Sequence, residues 1–228
     1  MKKSHFNPAF FKFLKDIKKN NNRPWFLENK ERYEKVVRNP LLDFIGEVGR
    51  PLRQINKHII ADNSPSGGSM FRIYRDARFS KDKTPYKTHA SARFPIARGK
   101  DVHSPGYYLH LEPGGVFCGG GIWRPEPLVL GQIRDFIANH PRQWKQVIAD
   151  KKFKKFCSLE GEKLQRPPKG YPPEHELIET LKYKDFIYFT EFNEKQACAP
   201  GFMDKFVESC QAGAPLIEFL ATALKFEW

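Results

Sequence analysis

Two short segments hold the residues best suited to chemistry, and the first of them is strongly basic. From Arg72 to Arg93 the chain has seven Lys or Arg residues against two acids, with Tyr74, Tyr86 and His89 among them. A guanidinium binds a carboxylate or phosphate through two parallel hydrogen bonds, and a lysine adds a flexible positive charge. So many cations are costly to fold together unless an anion or partner acids neutralise them. This segment therefore predicts a site for an anionic ligand.

The predicted anion-binding set extends beyond this segment to one later arginine. It consists of Arg72, Arg75, Arg78, Lys83, Tyr86, Lys87, His89 and Arg124. Asp76 either orients an arginine for the ligand or, with Arg72 and Arg75, forms a structural ion-pair network. The stretch Lys81–Lys83 is the expected tip of a loop, and its charge is either part of the site or only solvated.

The second segment is Tyr107–Glu112, where polar and apolar residues alternate. Alternation places Tyr108, His110 and Glu112 on one face of a strand. His110 and Glu112 have the chemistry of a general base with its orienting acid, or of two metal ligands, and Asp76 is a further candidate for proton transfer. Nothing else in the sequence supplies a third ligand at recognisable spacing, so we predict no metal site and identify no cofactor. The alternative is an ordinary polar face of a half-buried strand.

Three consecutive glycines, Gly119–Gly121, follow in the next strand. Glycine in a strand indicates a bulge or the close approach of another group to the backbone. The glycines therefore form either a floor for a ligand, with Trp123 and Arg124 at its edge, or a site of tight packing. The glycine spacing fits neither a phosphate-binding P-loop nor a dinucleotide-binding motif.

The elements that must position these residues are helices on either side of a β-rich centre. Residues 1–62 are predicted to be helical, 69–124 form the β-rich core, and 125–228 contain helices, a proline-rich loop and one further strand. The predicted strands are Ser69–Asp76, Thr88–Ile96, Tyr107–Pro113, Val116–Trp123 and Asp185–Phe192, and Gly114-Gly115 predicts a hairpin. We expect one α+β domain over residues 1–228, with an antiparallel sheet of about five strands packed against the N-terminal, central and C-terminal helices.

Composition narrows the class of protein. The 228 residues are 40% hydrophobic, and the net charge is +13, which favours acidic partners such as nucleic acid or phosphorylated small molecules. Cys118, Cys157, Cys198 and Cys210 lack the spacing of a zinc knuckle or a redox pair, so we expect reduced thiols. Charged residues interrupt the apolar N-terminal segment within a few positions, so no signal peptide or membrane span is predicted. These features indicate a cytoplasmic protein.

The basic segment also carries a family resemblance. Arg72, Arg75, Asp76, Arg78, Phe79, Asp82, Lys83 and Tyr86 fit the pattern R-x-x-R-D-x-R-F-x-x-x-[DN]-K-x-x-Y, which resembles the signature of the bacterial and fungal domain of unknown function 2461 family. The segments NNNRPWF, YYLHLEPGG, GIWRPEP and LKYKDF extend the likeness over nearly the whole chain. The resemblance implies a family but carries no activity and no catalytic residues.

Three functions follow from these patterns. The first is binding or processing of a small anionic ligand, such as a phosphorylated one, where the basic segment and the hairpin face converge. The second is a nucleic-acid-binding module with a basic, aromatic surface that includes Lys151-Lys152, Lys154-Lys155 and Lys163–Arg166. The third is an interaction scaffold in which the signature is only a salt-bridge network. Because the basic residues alternate with acids and aromatics, we favour the first.

Overall fold

The N-terminal helix begins where an Asn-Pro pair favours a helix start. In the computed structural model, which describes residues 3–97 and 104–228, helix α1 spans Pro8–Lys19. The Asn7 side chain accepts hydrogen bonds from the N–H groups of Ala9 and Phe10, and Pro8 begins the first turn. The predicted first helix is confirmed. The domain predicted over 1–228 also includes residues 1–2 and 98–103, which lie outside the described residues.

The next helical region is more divided than the sequence predicts. Residues 1–62 were predicted to be helical, and after α1 the structure has α2 (Arg23–Glu28), α3 (Lys30–Tyr33) and a π-helix (Glu34–Arg38), followed by α4 (Asn39–Ile55). The Asn29 side chain donates to the Trp25 carbonyl at 3.0 Å and ends α2. A polar side chain that bonds to the backbone competes with the helix in this way.

The sheet is antiparallel throughout and confirms the α+β class. Its strands are β1 (Ala90–Pro95), β2 (Gly106–Glu112), β3 (Gly115–Ile122), β4 (Ser158–Glu160) and β5 (Phe186–Phe192), in the spatial order β1-β2-β3-β5-β4. The β2–β3 hairpin turns through Pro113 and Gly114, and Gly114 has a φ of 81°. The turn lies one residue earlier than Gly114-Gly115, because Gly115 already pairs with Glu112.

The predicted strand Ser69–Asp76 is wrong. Only isolated bridges form there, Met70 with Ala92 and Tyr74 with Tyr86. Residues 72–87 instead fold back on themselves as an arm, in which Arg75 N–H donates to Pro85 C=O (2.9 Å) and Lys87 N–H donates to Ile73 C=O (2.8 Å). The remaining strand is the short β4, whose three residues are too few to give a periodic signal.

The remaining helices cover one face of the sheet. They are α5 (Pro127–Asn139), α6 (Pro141–Ala149), α7 (Lys151–Phe156), α8 (Ile178–Leu181), α9 (Glu194–Ala197) and α10 (Phe202–Ala223). The sheet side chains beneath them are buried: Tyr107, Leu109, Leu111, Val116, Cys118, Phe186 and Tyr188. Helix α10 packs closest, because Gly213 lies directly against the Tyr188 ring. Among the described helices, none combines the length and the apolar character that a membrane crossing requires.

The other face of the sheet, which we call the open face, carries mostly half-buried side chains. By the strand register it consists of Ser91, Arg93, Tyr108, His110, Glu112, Phe117, Gly119, Phe189 and Glu191. Its composition differs from that of the helix-covered face, because histidine, glutamate and aromatic residues replace the aliphatic core. The arm lies along the β1 edge of this face, where Phe71 contacts the Tyr108 ring.

Candidate functional site

The polar residues of β2 form one hydrogen-bonded row on the open face. Tyr108 Oη lies 3.1 Å from His110 Nδ1, and His110 Nε2 lies 3.2 Å from a carboxylate oxygen of Glu112. The Thr88 hydroxyl donates to the other oxygen of Glu112 at 2.8 Å. The predicted alternation of Tyr108, His110 and Glu112 against the core residues is therefore confirmed, and every member of the row has a partner.

His89 joins this row from the neighbouring strand. It lies one residue before β1, and the register of Ser91 with His110 places it on the same face. Its ring centroid is 4.4 Å from that of His110, and the ligand atoms of His89, His110 and Glu112 all lie within 4.8 Å of one another. Strand pairing therefore brings a third group that could hold a metal ion next to His110 and Glu112, which sequence spacing did not show.

The electrostatics of the cluster keep both imidazoles neutral at neutral pH. Burial, followed by the neighbouring His110, lowers the pKa of His89 to about 4. Burial also lowers the pKa of His110, against the opposing effect of Glu112. For Glu112, burial raises the pKa, but hydrogen bonds from Thr88 and His110 outweigh it and leave the pKa below its usual value. The cluster thus presents two neutral nitrogen bases and one carboxylate.

Aromatic rings surround the cluster. Phe117 stacks on His110 with centroids 4.7 Å apart and an interplanar angle of 11°, and Phe189 packs against Phe117. Gly119 and Gly120 in β3 leave room for β5, because a Cβ on either would collide with Tyr188. The contacts of these two glycines are those of tight strand and side-chain packing.

Lys87 lies beside the cluster, and Arg72, which also interacts electrostatically with Asp76, lies near Lys87. Lys87 Nζ is 5.2 Å from the centroid of Phe71, and burial, followed by the nearby Arg72, lowers its pKa. The charge of Lys87 in turn contributes to the lowered pKa of His89. Within the described residues, neither Lys87 nor Arg72 forms an ion pair. The open face therefore combines uncompensated positive charge with the histidine cluster.

The other basic residues of the signature form their contacts within the arm. Arg75 bonds Asp82, the Thr84 hydroxyl (2.9 Å) and the Ser80 hydroxyl (3.1 Å). A second group of contacts ties Arg78 to Asp76 (2.7 Å) and Lys83 to the carbonyl oxygen of Ala77 (3.0 Å). These contacts support the structural ion-pair interpretation for Arg75, Arg78 and Asp76.

Two further predicted residues lie apart from the cluster. Tyr86 is buried and stacks on Phe26 with centroids 4.2 Å apart, while its backbone exchanges two hydrogen bonds with the Asn21 side chain. Arg124 stacks on Trp123 beyond the end of β3, and its N–H donates to the buried Asp185 at 2.5 Å. Tyr86 thus anchors the arm, and Arg124 lies at a separate cavity of about 350 Å³.

A larger cavity was not predicted at all. It has a volume of about 790 Å³, and its lining includes Arg53, Lys57, His58, Lys225 and Glu227. These residues come from the end of α4, the segment after it and the C-terminus. Their separation in sequence explains why no local motif indicated them.

The sequence was compared with models of known protein families. The family model described as conserved hypothetical protein (DUF2461) matches residues 9–219. The chain belongs to this family. The match covers the arm, the sheet and most of α10, so the family assignment made from the signature is confirmed. No curated protein matches the sequence.

Proposed function

We propose that this DUF2461 member binds a small anionic ligand on the open face, beside His89, His110 and Glu112. Lys87 and Arg72 are the cations that contact it. One observation carries the proposal: Lys87 is half-buried and, like Arg72, forms no ion pair among the described residues, whereas Arg75 and Arg78 pair with Asp82 and Asp76. An unpaired, partly buried ammonium group is costly unless a ligand compensates it. A phosphate or carboxylate group would provide that compensation.

The proposal changes which signature residues contact the ligand. Lys87, Arg72 and His89 remain in the anion-binding set, while Arg75, Arg78, Lys83 and Tyr86 build the arm that holds Lys87 in place. Proton transfer by His110 with Glu112 stays a prediction for the same site. The four free cysteines fit a cytoplasmic location, which is part of the proposal.

The test is calorimetric titration with inorganic phosphate and pyrophosphate, using protein freed of metal ions with EDTA at low salt. Lys87→Met and Arg72→Gln should each weaken binding about tenfold or more, since a hydrogen bond to a charged group is worth about 1.5–3 kcal/mol. Arg78→Gln is the matched control, because its guanidinium is already paired with Asp76. Equal losses in all three variants, or binding unaffected by Lys87→Met, would contradict the proposal.

A nucleic-acid ligand is the second candidate, and the aromatic residues of the open face favour it. Tyr108, Phe117 and Phe189 are half-buried on one sheet surface, as bases stacking on a sheet would require, and the chain carries a net charge of +13. This candidate predicts that a labelled single-stranded oligonucleotide binds at low salt and dissociates steeply as salt rises. Absence of any complex at low salt would exclude it.

A further inference from the structure

The geometry of His89, His110 and Glu112 is that of a metal-binding site. Ligand atoms bound tetrahedrally at 2.0–2.2 Å from one ion lie about 3.3 Å from each other. His110 Nε2 and the Glu112 oxygen are 3.2 Å apart, so this pair already spans such an edge. The His89 nitrogen lies within 4.8 Å of both, so the three groups are close enough together to hold one ion.

A second layer of contacts orients these groups. Tyr108 Oη bonds His110 Nδ1, and Thr88 donates to the Glu112 oxygen that faces away from His110. In the metal-free chain the neutral His110 ring donates from Nε2 to Glu112 and accepts from Tyr108 at Nδ1; when a metal ion binds Nε2, the ring proton moves to Nδ1, which then donates to Tyr108 Oη. Such partners, which fix the tautomer and the ring plane, are characteristic of histidine and carboxylate ligands in metalloproteins. The stacked Phe117 further restricts rotation of the His110 ring.

We infer that His89, His110 and Glu112 bind one divalent transition-metal ion on the open face. Two imidazoles and one carboxylate are the ligand set of open Zn²⁺ and non-haem Fe²⁺ sites, whereas Mg²⁺ and Ca²⁺ take oxygen ligands. Three protein ligands leave at least one coordination position open. In this arrangement Nε2 of His110 is a ligand and does not act as a general base.

The inference extends the proposed function. It rests on that function only for the identity of the ligand that occupies the open coordination position. One carboxylate neutralises half of the charge of a divalent ion, so the site keeps a net positive charge beside Lys87 and Arg72. A phosphate or carboxylate oxygen of the ligand would complete the coordination, and the two cations would hold the remainder of the anion.

The test is titration of the EDTA-treated full chain with Zn²⁺ and with Co²⁺, whose visible absorption reports nitrogen and oxygen ligands in a low-symmetry site. We expect one ion per chain. Glu112→Gln and His89→Gln should weaken Zn²⁺ binding about 100-fold or more and abolish the Co²⁺ spectrum, since even changes in the outer layer cost 10–100-fold in metal affinity. Glu112→Gln keeps the volume and an acceptor for Thr88, so its fold is expected to be retained.

The control variant is His58→Gln. His58 and Glu227 form another His–Glu pair, with 3.5 Å between Nε2 and the carboxylate oxygen, but among the described residues no third ligand lies close to them. Its removal should leave metal binding unchanged. No stoichiometric binding by the folded wild-type chain, or binding lost in His58→Gln and retained in Glu112→Gln, would overturn the inference.

The two proposals fail separately. Phosphate binding in EDTA that depends on Lys87, without stoichiometric metal binding, would overturn the metal site and leave the anion site standing. The opposite result is metal binding that depends on Glu112, without phosphate binding in EDTA or in the metal-loaded protein. That result would support the metal site and contradict the anion site.

Discussion

Arg75 and Arg78 belong to the same signature but have different surroundings. The Arg75 side chain is half-buried and bonds three side chains within the arm, whereas Arg78 is 77% exposed and pairs only with Asp76. For both arginines the sequence supports an ion pair as well as ligand binding, because the two interpretations require the same residue types at the same spacing. The distinction depends on where the chain turns between Asp76 and Thr84, which local patterns do not specify.

The surroundings of these two arginines predict different effects on stability. Arg75→Met should lower the melting temperature by about 2–4 °C, because it leaves Thr84 and Ser80 without their shared donor and loosens the arm. Arg78→Met should leave melting nearly unchanged, as is usual for an exposed ion pair. Thermal unfolding followed by circular dichroism measures both. A larger loss for Arg78 than for Arg75 would show that the arm is held together differently.

At the scale of elements, strand pairing creates the cluster. Alternation in Tyr107–Glu112 was sufficient to predict the face that carries His110 and Glu112. His89 was not predicted to join them, because its position depends on the register of β1 against β2. The available signal was that His89 lies within the predicted strand Thr88–Ile96. The register in which Ala90 opposes Leu111 brings His89 beside His110.

The packing of α10 on the sheet gives a second prediction at this scale. Gly213 has no room for a Cβ, since the added carbon would overlap the buried Tyr188 ring. Gly213→Ala should therefore destabilise the protein by about 1–3 kcal/mol through overpacking. Gly131→Ala in α5 is the matched control: nothing lies within 4 Å of its added Cβ, and alanine favours a helix by about 1 kcal/mol.

Urea unfolding of the two glycine variants measures this difference. The midpoint should fall for Gly213→Ala and stay equal or rise for Gly131→Ala. Equal destabilisation by both would mean that helix packing on Tyr188 does not decide the cost.

For the whole molecule, composition and periodicity were enough to predict the class. Apolar residues at helical spacing identified α1, α5 and α10, and alternation identified four of the five strands. Ser69–Asp76 was misassigned because it alternates like a strand, but its first residues pair with β1 and its later ones with the arm. The three residues of β4 are too few to produce a periodic signal.

The distribution of charge is likewise a property of the whole molecule. A net charge of +13 does not identify which cations lack partners, since pairing depends on tertiary contacts. In the folded chain the loop tip neutralises much of its own charge, while Lys87 and Arg72 keep theirs beside the histidine cluster. We therefore propose that the anion binds at the open face and not at the tip of the arm.

Two-dimensional ¹H–¹⁵N spectra of the EDTA-treated chain, titrated with inorganic phosphate, test that location directly. We expect saturable chemical-shift changes at residues 87–89 and 108–112. The resonances of residues 76–83, at the tip of the arm, should stay nearly unchanged. The Lys87→Met protein should lose these shifts, and the Arg78→Gln protein should keep them. Chemical-shift changes concentrated at residues 76–83, or no saturable change at Lys87 and His89, would contradict an anion site at the open face.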